Sequence, residues 1–307
     1  MLKSNLSTRD RKLLEALLSN NRKLIADIDS AKLLTGKLFA QQVKQSAPVK
    51  SLEDVEFRVF SQWGDDGIIQ YLVNLLDVPV TKFVEFGVEN YREANTRFLL
   101  QNNNWSGLVM DGSEENIAFI KNDEIYWKYD LAAIASFVTT DNINQLLADA
   151  FFSGEIGLLH VDIDGNDYWI WQAIDVIEPV IAIIEYNSLF GPERAITIPY
   201  DPSFSRFEAH HSGLYAGASL AALCDLAGEK GYAFIGSNSA GNNAYFVRKD
   251  CLGELRELSV AEGYVSSKFR EHRNELGELT YLSGHQAIQR LSGLPVFNTR
   301  TKSIEEL

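Results

Sequence analysis

One stretch constrains the fold of this chain more than any other: Lys82–Asn116, KFVEFGVENYREANTRFLLQNNNWSGLVMDGSEEN. Phe83, Val84 and Phe86 are the aromatic and β-branched residues that a buried strand prefers, and Gly87 follows where that strand must turn. Ala94–Gln101 then reads as a helix with Phe98, Leu99 and Leu100 apolar, and Gly107–Met110 as a second short strand that stops at Asp111. The order strand, turn, helix, strand places Glu85 at the end of the first strand and Asp111 at the end of the second. In an open α/β sheet those carboxyl ends line the ligand crevice. A carboxylate closing the second strand suits a ribose diol, because it accepts both hydroxyl hydrogens.

The turn itself narrows the ligand. Val88, Glu89 and Asn90 follow Gly87 where a dinucleotide fingerprint would carry further glycines. Close backbone approach to a pyrophosphate is not provided for, and Glu89 would repel one. This argues against an NAD-type oxidoreductase. An acidic turn suits a cofactor without phosphates and with positive charge, and S-adenosylmethionine, a sulfonium with an amino group, is such a cofactor. At this point the sequence resembles the class I S-adenosylmethionine-dependent methyltransferases.

The downstream chain extends the pattern. A loop, SQWGDDG, precedes an amphipathic helix carrying Ile68, Ile69, Leu72, Val73 and Leu76. Ser113–Asn122 reads as a helix, Ala135–Thr139 as a third strand and Asn142–Phe152 as a helix. Ile156–Asp164 reads as a fourth strand, on which Asp162 and Asp164 share a face while the strand lasts. Tyr168–Ile174 is the next expected helix, and Val180–Ile184 a fifth strand ending at Glu185. Residues 188–218 form a long insert containing His210-His211, and loops of that length in a compact domain tend to be functional. Ser219–Lys230 is expected to be helical, and Tyr232–Gly236 and Asn243–Val247 form a hairpin. The last ~60 residues, 251–307 in the division of domains, are expected to be helical and to carry no chemistry.

Five strands alternating with helices, then strand, turn, strand, resemble the Rossmann-like class I methyltransferase layout, a likeness that periodicity alone does not supply. Its sheet is mixed and seven-stranded, with the last strand antiparallel and helices on both faces. Within that layout HVDIDGNDYW resembles the I-D-x-E-G-x-E signature of FkbM-type methyltransferases, with Asp162, Asp164, Gly165 and Asp167 at the matching positions. SQWGDDG resembles the Ser-Gln-x-Gly-x-Asp-Gly opening of some members. The resemblance covers roughly residues 57–250 and implies O-methylation, commonly of sugars or polyketides. The sequence departs from the signature in Asn166-Asp167, where His-Glu is usual, and in the length of the insert.

The resemblance implies a cofactor site of Gln62, Glu85, Gly87, Asn95, Thr96, Asp111, Gly112, Ser113 and Asp162. Asp162 and Asp164 would face the transferred methyl, and Glu185, Asn187, Tyr200 and Tyr215 would hold a sugar, nucleotide-sugar or glycoconjugate acceptor. A hydroxyl acceptor must lose its proton, which leaves two schemes open. In one, His160, His210 or His211 is the base, since histidine titrates in the right range. His160, inside a strand, reads first as a core histidine. In the other, Asp164, Glu185 and Asn187 hold Mg²⁺ or Mn²⁺, ions that favour oxygen ligands.

Charge separates the chain into two parts. Residues 1–50 carry ten Lys/Arg and four Asp/Glu, a net of +6, and the remainder carries 18 against 38, a net of −20, within an overall −14. An acidic body argues against nucleic acid as a partner. Residues 1–50 read as a helical extension, a helical pair capped near Ser7 or Thr8, with a linker at Ser46–Ser51 that includes Pro48. Its leucine stripes have helical spacing without a clean heptad. They suit packing on the body, a homo-oligomer or a membrane surface. No apolar run approaches the ~20 residues needed to span a bilayer, and Cys224 and Cys251 form no C-x-x-C, so a cytoplasmic location is the expectation. The rival to an enzyme is a methyltransferase-like binding or scaffold protein assembled through residues 1–47.

Overall fold

Ten strands organise the described residues: β1 Lys82–Phe86, β2 Ser106–Asp111, β3 Leu131–Ala135, β4 Gly154–Val161, β5 Ile177–Glu185, β6 Ile196–Thr197, β7 Tyr232–Ser237, β8 Asn243–Arg248, β9 Pro295–Asn298 and β10 Ser303–Glu306. The computed structural model describes residues 7–46 and 49–307, so residues 1–6 of the extension and Pro48 of the expected linker lie outside the described residues. Seven strands form one sheet in the order β3-β2-β1-β4-β5-β8-β7, parallel except for β8, which runs antiparallel to both its neighbours. This is the seven-stranded Rossmann-like layout expected above.

The two faces follow from side-chain alternation along each strand. Val84, Phe86, Leu108 and Phe246 point into one core with Trp171 and Leu223. Phe83, Val109 and Tyr245 point into the other, with Ile69, Leu72 and Leu99. Because β1 lies between β2 and β4, the strand order reverses there, and the crevice at this switch point is where an α/β sheet binds its ligand.

Three expectations are corrected. The third strand is Leu131–Ala135, not Ala135–Thr139; Leu131 and Ala133 are its buried positions, and the alanines of this strand hide its alternation. The N-terminal extension is one 37-residue helix, Thr8–Lys44, and not a pair. Ser7 caps it by accepting from Asp10 N, and only its C-terminal half meets the body, through Leu33, Gly36, Ala40 and Val43. The C-terminal tail is not helical beyond Val260–Gly263 and Gly284–Ile288. Gly277, Gly284 and Gly293 take positive φ and interrupt it, and the chain ends in the hairpin β9–β10. That hairpin pairs with β6 of the insert. Insert and tail thereby enclose a small core of their own around Phe190, Ile196, Leu214, Tyr215, Leu291 and Val296.

Candidate active site

A cavity of about 1040 Å³ opens at the carboxyl ends of β1, β2, β4 and β5. Of the residues expected around a cofactor, Gln62, Glu85, Gly87, Asn95, Asp111, Gly112 and Asp162 line it. Gly87 is required by geometry: its φ is +71°, and a Cβ built there would lie 1.7 Å from the carbonyl oxygen of Asp162. The ends of β1 and β4 can approach this closely only across a glycine.

Glu85 is buried at the centre of a polar network. It accepts from Asn95 N at 2.9 Å, from Thr96 N at 3.1 Å and from the Thr96 hydroxyl, and His160 Nδ1 donates to it at 2.9 Å. Burial works against the Glu85 anion, but His160 and these donors outweigh it and hold its pKa below the ordinary value. Burial likewise opposes a charged His160, and Glu85 outweighs it, raising the pKa. Asn95 Nδ2 lies 3.2 Å from His160 Nε2. His160 is therefore a partnered core histidine that also lines the cavity. Thr96 lies outside the lining and serves Glu85 instead.

Asp111 is held rigidly. Its Oδ2 accepts from Glu89 N at 2.7 Å, and its Oδ1 from Ser113 N at 2.9 Å and Asn116 Nδ2 at 3.0 Å. One acceptor position remains on Oδ2. Ser113 does not line the cavity; its hydroxyl caps helix Glu114–Asn122. The SQWGDDG loop is largely structural. Asp66 Oδ2 accepts from the backbone N–H of Val59, Phe60 and Ser61, and Asp65 Oδ1 accepts from Asn238, Asn243 and Tyr245. This ties the loop to the β7–β8 hairpin and sets Gln62 and Trp63 in the cavity wall.

At the ends of β4 and β5 three acids converge. Asp162, Asp164 and Glu185 each place an oxygen within 4.8 Å of the others. They do not reach this by sharing a strand face: β4 stops at Val161, and Asp164 has φ +58°. The turn is shaped by buried Asp167, whose Oδ1 and Oδ2 accept from Ile163 N and Gly165 N. Burial first, then mutual repulsion, raises the Glu185 pKa well above its ordinary value. Burial, outweighing the attraction of His160, pushes Asp162 up to about 6, and the Glu185 carboxyl hydrogen-bonds it. Both carboxyls are thus held toward the protonated form. Arg206 pairs with Asp164 and, at 3.2 Å, with Glu271.

The remaining wall comes from the insert and the tail: Phe204, Arg206 and Phe207, then Lys268–Glu271, Arg273 and Tyr281. Trp63 stacks on Phe269 with ring centroids 5.3 Å apart, joining the SQWGDDG loop to the tail across the cavity wall. The tail, where no chemistry was expected, thus contributes to the cavity wall. Arg206 and the tail residues escaped sequence reasoning; the signal was there in KFREHR, a basic run in an otherwise acidic body.

Other expected site residues are placed elsewhere. His210 and His211 do not line the cavity; their rings lie tilted against each other with centroids 4.1 Å apart, His211 abuts His272, and His210 Nδ1 bonds the Ser212 hydroxyl at 2.8 Å. As candidate bases they are withdrawn. Asn187 is engaged in the insert: its Nδ2 donates to the carbonyls of Leu214 and Ala216 and its Oδ1 accepts from Leu189 N. The third acid is Asp162. Tyr200 accepts from Thr140 N, and the Tyr215 hydroxyl donates to the Pro295 carbonyl inside the small core. Neither lines the cavity.

No protein-family model matches this chain, and no curated protein matches it. Among solved structures, the chain is similar to an O-methyltransferase from Bacillus cereus in complex with SAH (11% identity, 74% of this chain and 89% of that one, TM-score 0.38). It is also similar to the N-terminal domain of EvdMO1 with SAH bound (12% identity, 55% of this chain and 73% of that one, TM-score 0.35). A third likeness is to the CurJ carbon methyltransferase (11% identity, 78% of this chain and 70% of that one, TM-score 0.40).

Proposed function

We propose that the protein is an S-adenosylmethionine-dependent O-methyltransferase acting on a hydroxyl of a sugar or glycoconjugate. The observation that carries this reading is the charge of the crevice at the switch point. Glu85, Glu89, Asp111 and Asp162 surround it, and the turn after β1 offers no glycine-rich cradle for phosphates. A phosphate-bearing cofactor would be repelled there, whereas a sulfonium with an α-amino group is matched. The exposed side chain of Phe137 on the cavity wall suits stacking on a sugar ring.

When bound, the cofactor supplies a methyl carbon already activated by its sulfonium. Asp111 would accept from one ribose hydroxyl through the position left on Oδ2, and Gly87 lets the end of β4, with Asp162, close against β1. Asp162, pushed up to about 6 by burial, would take the proton of the acceptor hydroxyl, with the Glu185 carboxyl hydrogen-bonded beside it. Arg206 would keep Asp164 charged and in place. Much of the remaining catalysis is alignment of the acceptor oxygen with the methyl carbon. A second scheme is favoured by the convergence of Asp162, Asp164 and Glu185. In it these acids hold Mg²⁺ or Mn²⁺ once Arg206 moves off Asp164.

Calorimetric titration with S-adenosylhomocysteine, with and without EDTA, tests the reading. Micromolar binding in both buffers supports the metal-free scheme, and binding lost with EDTA supports the metal. No binding in either leaves the scaffold reading in its place.

We further propose that two copies pair in parallel through helix Thr8–Lys44. In the single helix, Leu14, Leu17, Asn21, Leu24, Ile28, Ala31, Thr35 and Leu38 recur at alternating spacings of three and four, and all are exposed. Taken as a and d positions these would form an imperfect coiled-coil seam, with Asn21 at one a position and Ala31 and Thr35 also breaking its apolar run. The flanking Asp27 would meet Lys32 of the second copy, as a g position meets e′ in a parallel pair.

A further inference from the structure

The cavity is divided by charge. Its floor, at the strand ends, is acidic, and its outer wall is basic: Lys268, Arg270 and Arg273 lie within six residues of one another in a body that otherwise carries a large negative excess. Among the described residues no carboxylate lies within ion-pair distance of these three. The acid of the segment, Glu271, is engaged with Arg206 instead.

The guanidinium groups are nonetheless held. Arg270 Nε donates to the Tyr281 carbonyl at 3.0 Å and its Cζ lies 5.5 Å from the Tyr281 ring. Arg273 Nη1 donates to the Gly277 carbonyl at 2.9 Å, and its Cζ lies 6.0 Å from the Phe207 ring, whose other neighbour is Arg206 at 5.1 Å. Carbonyls and aromatic faces orient a cation without neutralising it. Each Arg keeps donors over, in the planar fork that fits an oxyanion. A chain this acidic gains nothing in stability from gathering three unpaired cations, whose mutual repulsion costs free energy. The grouping makes sense once an anion completes it.

We propose that Lys268, Arg270 and Arg273 form a binding site for an anionic group, a phosphate or a carboxylate, carried by the acceptor. The acceptor then spans the cavity, with its hydroxyl over Asp162 and its anion at the outer wall. A neutral sugar would leave this wall without a partner. The word acceptor rests on the methyltransferase reading; the anion site itself does not.

The test uses the full chain saturated with S-adenosylhomocysteine, titrated calorimetrically at low salt with inorganic pyrophosphate and, separately, with citrate. The expected result is saturable binding of at least one, weakening steeply with added salt. In Arg270→Gln/Arg273→Gln that affinity falls by about tenfold or more, since a hydrogen bond to a charged group contributes on the order of one to two factors of ten. Lys302→Gln, on the far hairpin, leaves it unchanged, and Lys268→Gln repeats the test should the double variant not fold. Which anion binds tighter separates phosphate from carboxylate. Wild type that binds neither anion, or variants that bind as wild type does, overturns the proposal. Anion binding that persists while S-adenosylhomocysteine fails to bind retains the site and removes the methyltransferase reading.

Discussion

Gly87 and the Asp162 carbonyl are packed so closely that a Cβ on residue 87 would stand 1.7 Å from the oxygen. The contact locks the end of β1 to the end of β4, the two strands that define the crevice. It also sets Asp162, the residue proposed to receive the proton, at a fixed distance from the cofactor turn.

Gly87→Ala is expected to be costly on two counts. Its φ of +71° is unfavourable for a residue with a Cβ, and the added methyl forces β1 and β4 apart. Left-handed strain of roughly 1–2 kcal/mol and overpacking of about 1–3 kcal/mol together predict a Tm lower by on the order of 10 °C. Cofactor binding should fall with it. A variant with wild-type melting and wild-type S-adenosylhomocysteine affinity would show that the two strand ends are free to separate.

The Glu85–His160 pair predicts a pH window. Glu85 has a lowered pKa, so its contribution is present above its ordinary value of 4.5 and is lost as pH falls through the lowered one. His160 has a raised pKa, so its contribution is present below 6.5 and is lost as pH rises through the raised one. Both are in force between these limits. Both side chains are buried, so Glu85→Gln strands a buried cation and should cost roughly 3 kcal/mol there. Adding His160→Gln should recover part of that loss. Melting curves across pH 4 to 9 read the effect, and a Glu85→Gln profile parallel to wild type would dissolve the pair.

Asp162 behaves in the opposite sense. Its pKa is raised from 3.8 to about 6, so ionising it in the folded chain costs stability as pH climbs through that range. Asp162→Asn is expected to melt a few degrees above wild type at pH 8 and together with it near pH 4. With any acceptor that wild type methylates, turnover should fall by about 10²–10⁴-fold. A lower Tm at pH 8 would instead make Asp162 a structural anion.

What could be read from the sequence divides along a physical line. The strands of the main sheet, and the placing of Glu85, Gly87, Asp111 and Asp162 at its carboxyl edge, follow from periodicity and turn chemistry, which are local. Strand β3 was shifted because its alanines carry no strong pattern, while Phe137 and Val138 just after it do. Arg206, Arg270 and Arg273 reach the same cavity as Glu85 from far along the chain, through the pairing of β6 with β9, and no local pattern announces that pairing. The adjacent His210 and His211 drew a catalytic reading by residue type alone. Their contacts are with each other and with His272, where burial and neighbouring imidazoles lower the pKa of His210.

The N-terminal helix carries the last prediction. At 37 residues it is about 55 Å long, and Leu13, Leu14, Leu17, Leu18, Leu24 and Ile28 on its free half are each at least 41% exposed. An isolated helix in water gains little from such residues, whereas a parallel pair would bury them. Asn21 at a single a position favours two strands in register over other assemblies, at some cost in stability. Sedimentation should therefore give a dimer at micromolar concentration. Leu17→Glu with Ile28→Glu should give a monomer with unchanged S-adenosylhomocysteine affinity, because the seam lies far from the cavity. Asn21→Leu should raise the stability of the assembly while admitting larger oligomers. A wild-type chain that sediments as a monomer at ~100 μM, a concentration at which a seam of this length should associate, would show that the exposed leucines serve something other than a second copy.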